Sequence, residues 1–366
     1  MLVIFSYLIF LNLLFCMVLL LYISVKDSYK KELTFDTENY SKINFPLLLA
    51  LLLISFIVGF RYDIGVDWYG YKQYFDSGSF IEGHMEYGYR LINRLIFNTT
   101  RQSTHMFFIV ALISWLFTFK GYPKQFLPLG IYFLFCDEFI FFCMNGVRQF
   151  IAMGFFLYAL KYMINRNLKY YLLWMIFAAF FHITILLLLP IYYIPWKRLY
   201  NRYIWYLLIF ASYTLSQSTI LINGIEQIFT TLSDYFPIFR IYTFYFSSDF
   251  FEIHISKGYN LGVIFRSLIT LFIIYFSKDV LDNYPKAKPY IVLVLIGALL
   301  SNLFFSIQII SRFILYLDFL RSFVLALIIY HLWISKKNYL FILLIPSLYF
   351  LLFLWNIQSN IYQFTF

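Results

Sequence analysis

The chain has 366 residues, of which 62% are hydrophobic and 13% charged, and its formal net charge is +10. No water-soluble domain of this length carries that balance without aggregating, so the composition places the chain in a membrane. The excess of Lys and Arg falls in short loops between apolar runs, where it reports topology and gives no reason to expect nucleic-acid binding.

A crossing helix needs about 20 apolar residues. Runs of that order occupy residues 2–25, 45–60, 106–119, 126–144, 149–164, 203–222, 260–277, 290–310, 313–333 and 339–355. The first reads as a retained span, since no basic residue precedes it and no small-residue cleavage site follows. Residues 168–194 are too long for one ordinary span, and His182 interrupts them near the middle. Two short segments turning near His182 bring the expectation to about twelve crossings. With both termini outside, the inner loops within 26–42, 120–124, 161–169, 197–202, 278–288 and 336–337 hold 17 of the 28 basic residues against 6 acids. A single crossing over 168–194 would carry Lys197, Arg198 and Arg202 outside, so the charge rule favours the two-segment reading. The expected architecture is an all-α, polytopic helical bundle forming one membrane domain over residues 1–366. Its first outer loop is 61–105 and its second is 223–259, with interfacial helices in the outer loops.

Cys16, Cys136 and Cys143 lie in apolar spans, the last two about 10 Å apart along one expected helix, too far for a disulfide. P-loop, GxGxxG, HExxH and CxxC patterns are all missing from the sequence, which removes nucleotide-driven pumps, dinucleotide enzymes and zinc sites of the familiar kinds. No metal or cofactor is expected.

Chemistry in such a chain is sought where ionisable groups gather at helix ends. In the first outer loop Asp67 stands among Trp68, Tyr69, Tyr71 and Tyr74, rings suited to stacking on sugars and equally to anchoring at an interface. From Glu86, a helix would put Glu86, Arg90, Asn93 and Arg94 on one face and Tyr87, Leu91 and Leu95 on another, either as an interfacial anchor or as a basic shelf for a diphosphate. Arg148 follows Asn145-Gly146 at a helix start and fits either a snorkelling anchor or a cavity-facing cation. His182 fits a core histidine or a base. Arg312 begins a late span, and Asp318 with Arg321, at i and i+3, fits a structural pair that Arg266 could join.

Four stretches, 61–71 with Gly65, Asp67 and Tyr71, 86–93 beginning Glu86-Tyr87-Gly88, 147–152 around Arg148 and 179–184 around His182, resemble the EpsG-like, Wzy-type surface-polysaccharide polymerases. A weaker fifth spans 312–316. Val66 stands where that family often has a small polar residue, and Phe150 where Ala or Leu is usual. The resemblance implies a multi-pass protein of the bacterial inner membrane that moves a growing glycan from undecaprenyl diphosphate to the terminal sugar of a second lipid-linked repeat unit, at the periplasmic face. It implies Arg61, Arg148 and Arg312 as diphosphate ligands with Arg90 assisting, and Asp67 or His182 as the base with Glu86 as a replacement. Trp68 and Tyr71 would stack on sugar. Its partners would be lipid-linked repeat units, the bilayer, a chain-length regulator and a flippase. A flippase, which would want a central basic cavity, and an O-antigen ligase, for which 223–259 would be the large late loop, are the alternatives.

Overall fold

The computed structural model describes residues 2–26, 43–81, 83, 85–196, 199–215, 224, 227, 231, 234–235, 261–304 and 308–361. Over these residues the chain is all-helical, with no β-strand. Six helical stretches are long and apolar enough to cross a membrane: Ser6–Val25, Ser103–Gly121, Val147–Ile164, Pro285–Leu303, Ile310–Ile334 and Tyr339–Gln358. The expected count of about twelve exceeds these six because several apolar helices are short. Phe45–Gly59, Leu168–Ala179 and Ile183–Tyr193 all fall below 18 residues. Most of the second outer loop, 223–259, and the cations Lys197 and Arg198 lie outside the described residues.

Two compact units divide the chain, Met1–Ile194 with Leu325–Phe366, and Pro195–Val324. The first holds α1 (Leu2–Val25), α2 (Phe45–Gly59), α3 (Trp68–Asp76), α4 (Tyr87–Thr99), α5 (Ser103–Gly121), α6 (Leu127–Cys136), α7 (Phe139–Asn145), α8 (Val147–Ile164) and α9 (Leu168–Ala179), followed by a 3₁₀ segment, Ile183–Tyr193. The centre of this unit is α5, which packs against α2 and α8. Lipid supplies no hydrogen bonds, so polar groups on α5 are satisfied internally: Ser114 donates to Val110 O at 2.7 Å and Thr118 to Ser114 O at 2.8 Å. Rings of Phe117, Phe155 and Trp174 tie α5, α8 and α9 together at centroid separations of 4.1 to 5.9 Å.

One expected span is broken. Residues 126–144 read as one apolar run, but Lys124–Cys136, which includes α6, meets α7 at 68°. Asp137 and Glu138 sit at the bend, Glu138 with a left-handed φ of 69°. Mean hydropathy cannot register such a break, because only two residues in nineteen change character. Cys136 and Cys143 accordingly lie on different helices, both as free thiols. Asn356 of α15 (Tyr339–Ile361) donates to Cys136 O at 3.5 Å, covering a carbonyl that the break leaves without its helical partner.

The segment 168–194 turns back on itself, as the charge pattern required. α9 packs along the 3₁₀ segment. Tyr171 donates to Leu188 O at 3.0 Å, and Arg166, just before α9, donates to Tyr192 O at 2.6 Å. Both ends of the hairpin therefore meet, and His182 stands near its tip. Twelve residues of α-helix rise only about 18 Å, so each arm is shorter than the roughly 30 Å hydrocarbon core.

In the second unit α10 (Arg202–Leu215), α11 (Leu261–Asn283) and α12 (Lys288–Leu303) pack against one another, and α12 also packs on α13 (Gln308–Asp318). The helix α14 (Arg321–Ile334) follows, and from Leu325 onward it belongs to the first unit. Asp318 and Arg321 form the expected pair at 3.2 Å, whereas Arg266 donates to Gly262 O at 3.4 Å.

Candidate active site

The loop after α2 is held by Arg61. Its side chain is 5% exposed and donates through Nε to Ile64 O at 3.1 Å, through Nη1 to Val58 O and through Nη2 to Met144 O at 2.8 Å, with the guanidinium 4.6 Å from the Phe107 ring centroid. Burial pushes its pKa down to about 10. Gly65 makes this fold of the loop possible: its φ is +101°, and a Cβ there would lie 2.6 Å from Asn145 Oδ1. The loop is thereby fastened to the end of α7, one residue before α8 begins.

Arg148 lies in the first turn of α8. A cation there opposes the helix dipole, whose positive end is at the N-terminus. The opposing field is balanced by Glu86, whose Oε2 is paired with Arg148 Nη1. Glu86 occupies the N-cap position of α4 yet makes no side-chain cap, because its carboxylate is turned to Arg148. The two side chains are 18% and 26% exposed, Glu86 the more covered, so the pair is screened from water without being sealed. The Tyr71 hydroxyl is within hydrogen-bonding reach of Arg148, and its pKa is raised, by burial first, against the lowering field of that arginine. Among the described residues Arg148 Nε is buried with no hydrogen-bond partner.

Beside this pair opens a groove of about 800 Å³ lined by Tyr74, Gly78, Ser79, Ile81, Gly83, Met85 and Arg148. Among the described residues Arg148 is the one charged side chain on its wall. Arg90 braces the wall from behind, donating through Nε to Phe80 O at 3.0 Å and through Nη2 to Ile81 O at 2.8 Å.

The hairpin tip also reaches this region. Gly88 N donates to Phe180 O at 2.8 Å, and a Cβ on Gly88 would come within 2.8 Å of that same oxygen, so only glycine permits the contact. Two residues beyond Phe180, His182 Nδ1 and Thr184 Oγ1 are 2.7 Å apart. If the hydroxyl accepts, the proton resides on Nδ1 and the lone pair on Nε2, the tautomer a general base requires.

The first unit thus brings Arg148, Glu86 and Tyr71 together, with Phe180 of the hairpin bonded to Gly88, whereas other residues expected at the site have different surroundings. Asp67 is exposed at the start of α3 with no side-chain capping bond. Trp68 is 5% exposed and stacked on Phe107 at 6.4 Å, and Tyr71 is 7% exposed with its ring edge-on to Tyr89 at 5.6 Å. Their ring faces serve the scaffold here. Arg61 and Arg90 spend their donors on backbone carbonyls. Arg312 is exposed on α13, in the second unit. The groove-lining Ser79, Gly83 and Met85 carried no sequence signal, since none belongs to a residue type or spacing that marks a site. On α4, Tyr87, Leu91 and Leu95 are 65%, 43% and 57% exposed, an uncovered apolar stripe that matches the interfacial face expected for this helix. Among the described residues no three His, Cys, Asp or Glu side chains gather as a metal site would need.

The model of the EpsG family matches residues 44–366, and the chain belongs to that family. No curated protein and no solved structure matches it.

Proposed function

We propose that this EpsG-family membrane protein is a surface-polysaccharide polymerase. It transfers a growing glycan from undecaprenyl diphosphate to the terminal sugar of a second lipid-linked repeat unit, at the periplasmic face of the bacterial inner membrane. Family membership supports the reaction class. The observation that carries the reading to particular residues is the Arg148–Glu86 pair at the edge of a groove of about 800 Å³.

Breaking a bond between an anomeric carbon and a diphosphate needs charge stabilised on the leaving group and a base for the acceptor hydroxyl. Arg148 offers the first. Its fork binds phosphate oxygens two at a time without a metal ion, its buried Nε has a donor to give, and an anion beside the N-terminus of α8 is favoured by the dipole that disfavours the arginine alone. As the diphosphate takes over Arg148, Glu86 loses its counter-charge and becomes available as the base. The acceptor oxygen then bonds to the anomeric carbon, the carbon–oxygen bond to diphosphate breaks with its electron pair leaving on the phosphate oxygen, and the acceptor proton passes to the Glu86 carboxylate. His182 is the second candidate for that proton, and Asp67 a third. Arg61 and Arg90 are assigned to holding the loop and groove wall, and for Arg312 the family resemblance is the whole of the case.

Purified protein in lipid vesicles, given undecaprenyl-diphosphate-linked repeat units, tests the reading. Products of increasing length are expected. Transfer to lipid A core alone would make it a ligase, and movement of the lipid across the bilayer with no bond change would make it a flippase.

A further inference from the structure

The second unit carries a cationic groove whose residues the proposed chemistry does not use. The start of α10, the end of α11 and the start of α12 border a concave space of about 380 Å³, and Arg202, Lys278 and Lys288 line it. They come from three helices and from positions more than 70 residues apart at the extremes. Among the described residues Asp282 is the one acid on the wall. Among the described residues the Lys278 and Asp282 side chains have no ion-pair or hydrogen-bond partner, and Arg202 donates to the Tyr203 hydroxyl at 3.0 Å. Asn201 caps α10, its Oδ1 accepting from Tyr203 N at 3.0 Å, and the Tyr200 hydroxyl donates to Ile274 O at 3.1 Å, which fixes the loop onto α11.

Three cations converging on one hollow repel one another, and two of the three helix ends here are N-termini whose dipoles add to the positive field. Such an arrangement favours an anion. The chemistry of the walls suits phosphate: a guanidinium, two ammonium groups and a tyrosine hydroxyl, all donors. Below the groove the outer faces of α10 and α11 are apolar and uncovered, with Ile204 54%, Leu207 66%, Leu268 59% and Tyr275 61% exposed. A ligand with a phosphate at one end and hydrocarbon at the other would satisfy both surfaces.

We propose that this groove is a binding site for the phosphodiester headgroup of an anionic membrane phospholipid, on the side that the charge rule assigns to the cytoplasm. The headgroup phosphate lies between Arg202, Lys278 and Lys288, and the acyl chains run along the exposed apolar faces of α10 and α11. This assignment is independent of the polymerase reading, since it concerns other residues.

The test is lipid retention by the full-length protein, purified from mixed phosphatidylglycerol and phosphatidylcholine and read by native mass spectrometry. Wild type is expected to retain phosphatidylglycerol in preference, and each neutralised cation to weaken that retention about fivefold, the effect of one basic residue near an anionic surface. The triple variant R202Q/K278Q/K288Q should lose the preference, while K286Q/K336Q/K337Q, which removes equal charge from residues outside the groove, should keep it. Equal loss from both triples would reduce the effect to general surface charge and overturn the proposal, as would no loss from the first. Should the first triple fail to fold, D282N gives the answer, since removing an acid from the wall is expected to strengthen retention, and unchanged or weaker retention counts against the site. Inorganic phosphate bound tightly by a protein that retains no lipid would assign the groove to a soluble ligand and overturn the lipid.

Discussion

Glu86, at the N-cap of α4, is paired with Arg148, 62 residues further along, in the first turn of a helix long and apolar enough to cross a membrane. Neither group would be comfortable without the other: the arginine sits at the wrong end of its helix dipole and the glutamate forgoes its own cap. In the proposed function a diphosphate replaces Glu86 as the anion on Arg148.

Removing either partner strands a partly covered charge. Glu86→Gln and Arg148→Gln are each expected to lower stability by about 1–2 kcal/mol, below the cost for a fully buried pair because water reaches both side chains. The proposed roles add a large loss of polymer from both variants. The double variant Glu86→Gln with Arg148→Gln should recover much of the stability and none of the activity. Thermal unfolding and glycan ladder length, measured on the same preparations, separate the two effects, and recovered ladders in the double variant would remove the pair from the chemistry.

At Gly88 a single methyl group is predicted to push the hairpin tip off α4. A Cβ would press on Phe180 O at 2.8 Å and the Gly88 N to Phe180 O bond would be lost. Gly88→Ala should cost about 1–3 kcal/mol as an overpacked contact and should reduce activity more than stability. An Ala variant as active as wild type would show that the tip need not touch α4.

The hairpin makes a topological prediction. Single cysteines placed at Asn167 and Pro195, in a background without Cys16, Cys136 and Cys143, should be labelled from the same side of the membrane by a reagent that does not cross it. Labelling from opposite sides would restore a single crossing over 168–194.

Tyr71 is buried and its phenol pKa lies above the ordinary 10.0, burial being the largest cause. An unfolded chain would release that proton near pH 10 while the folded chain keeps it, so the unfolded state binds fewer protons and stability falls as pH rises beyond 10. In the folded protein Tyr71→Phe should leave the tyrosinate absorbance rise through pH 10 unchanged. A smaller rise in the variant would mean that this phenol ionises freely.

Much of the helical framework could be read from apolar runs, because lipid demands uninterrupted hydrophobic length. The fold-back at His182 was legible from the length of 168–194 and its interruption by His182, with Lys197, Arg198 and Arg202 favouring the same reading. The bend at Asp137 and Glu138 was not, because two polar residues at a helix end look the same in a continuous span and in a broken one. At the site, Arg148 and Glu86 could be named separately but not as a pair, their partnership depending on tertiary contact. Arg61 and Arg90 illustrate the limit most clearly. An arginine that binds phosphate and one that braces backbone carbonyls are identical in sequence, and only the positions of Val58 O, Met144 O, Phe80 O and Ile81 O tell them apart.

The most direct measurement of the central claim is chain extension by purified protein in vesicles with undecaprenyl-diphosphate-linked repeat units, comparing wild type with Arg148→Ala at equal, folded amounts. Arg148→Ala is expected to give no product longer than the starting repeat, with Arg148→Lys retaining a small fraction of the wild-type rate. Ladders of wild-type length from folded Arg148→Ala would contradict the account.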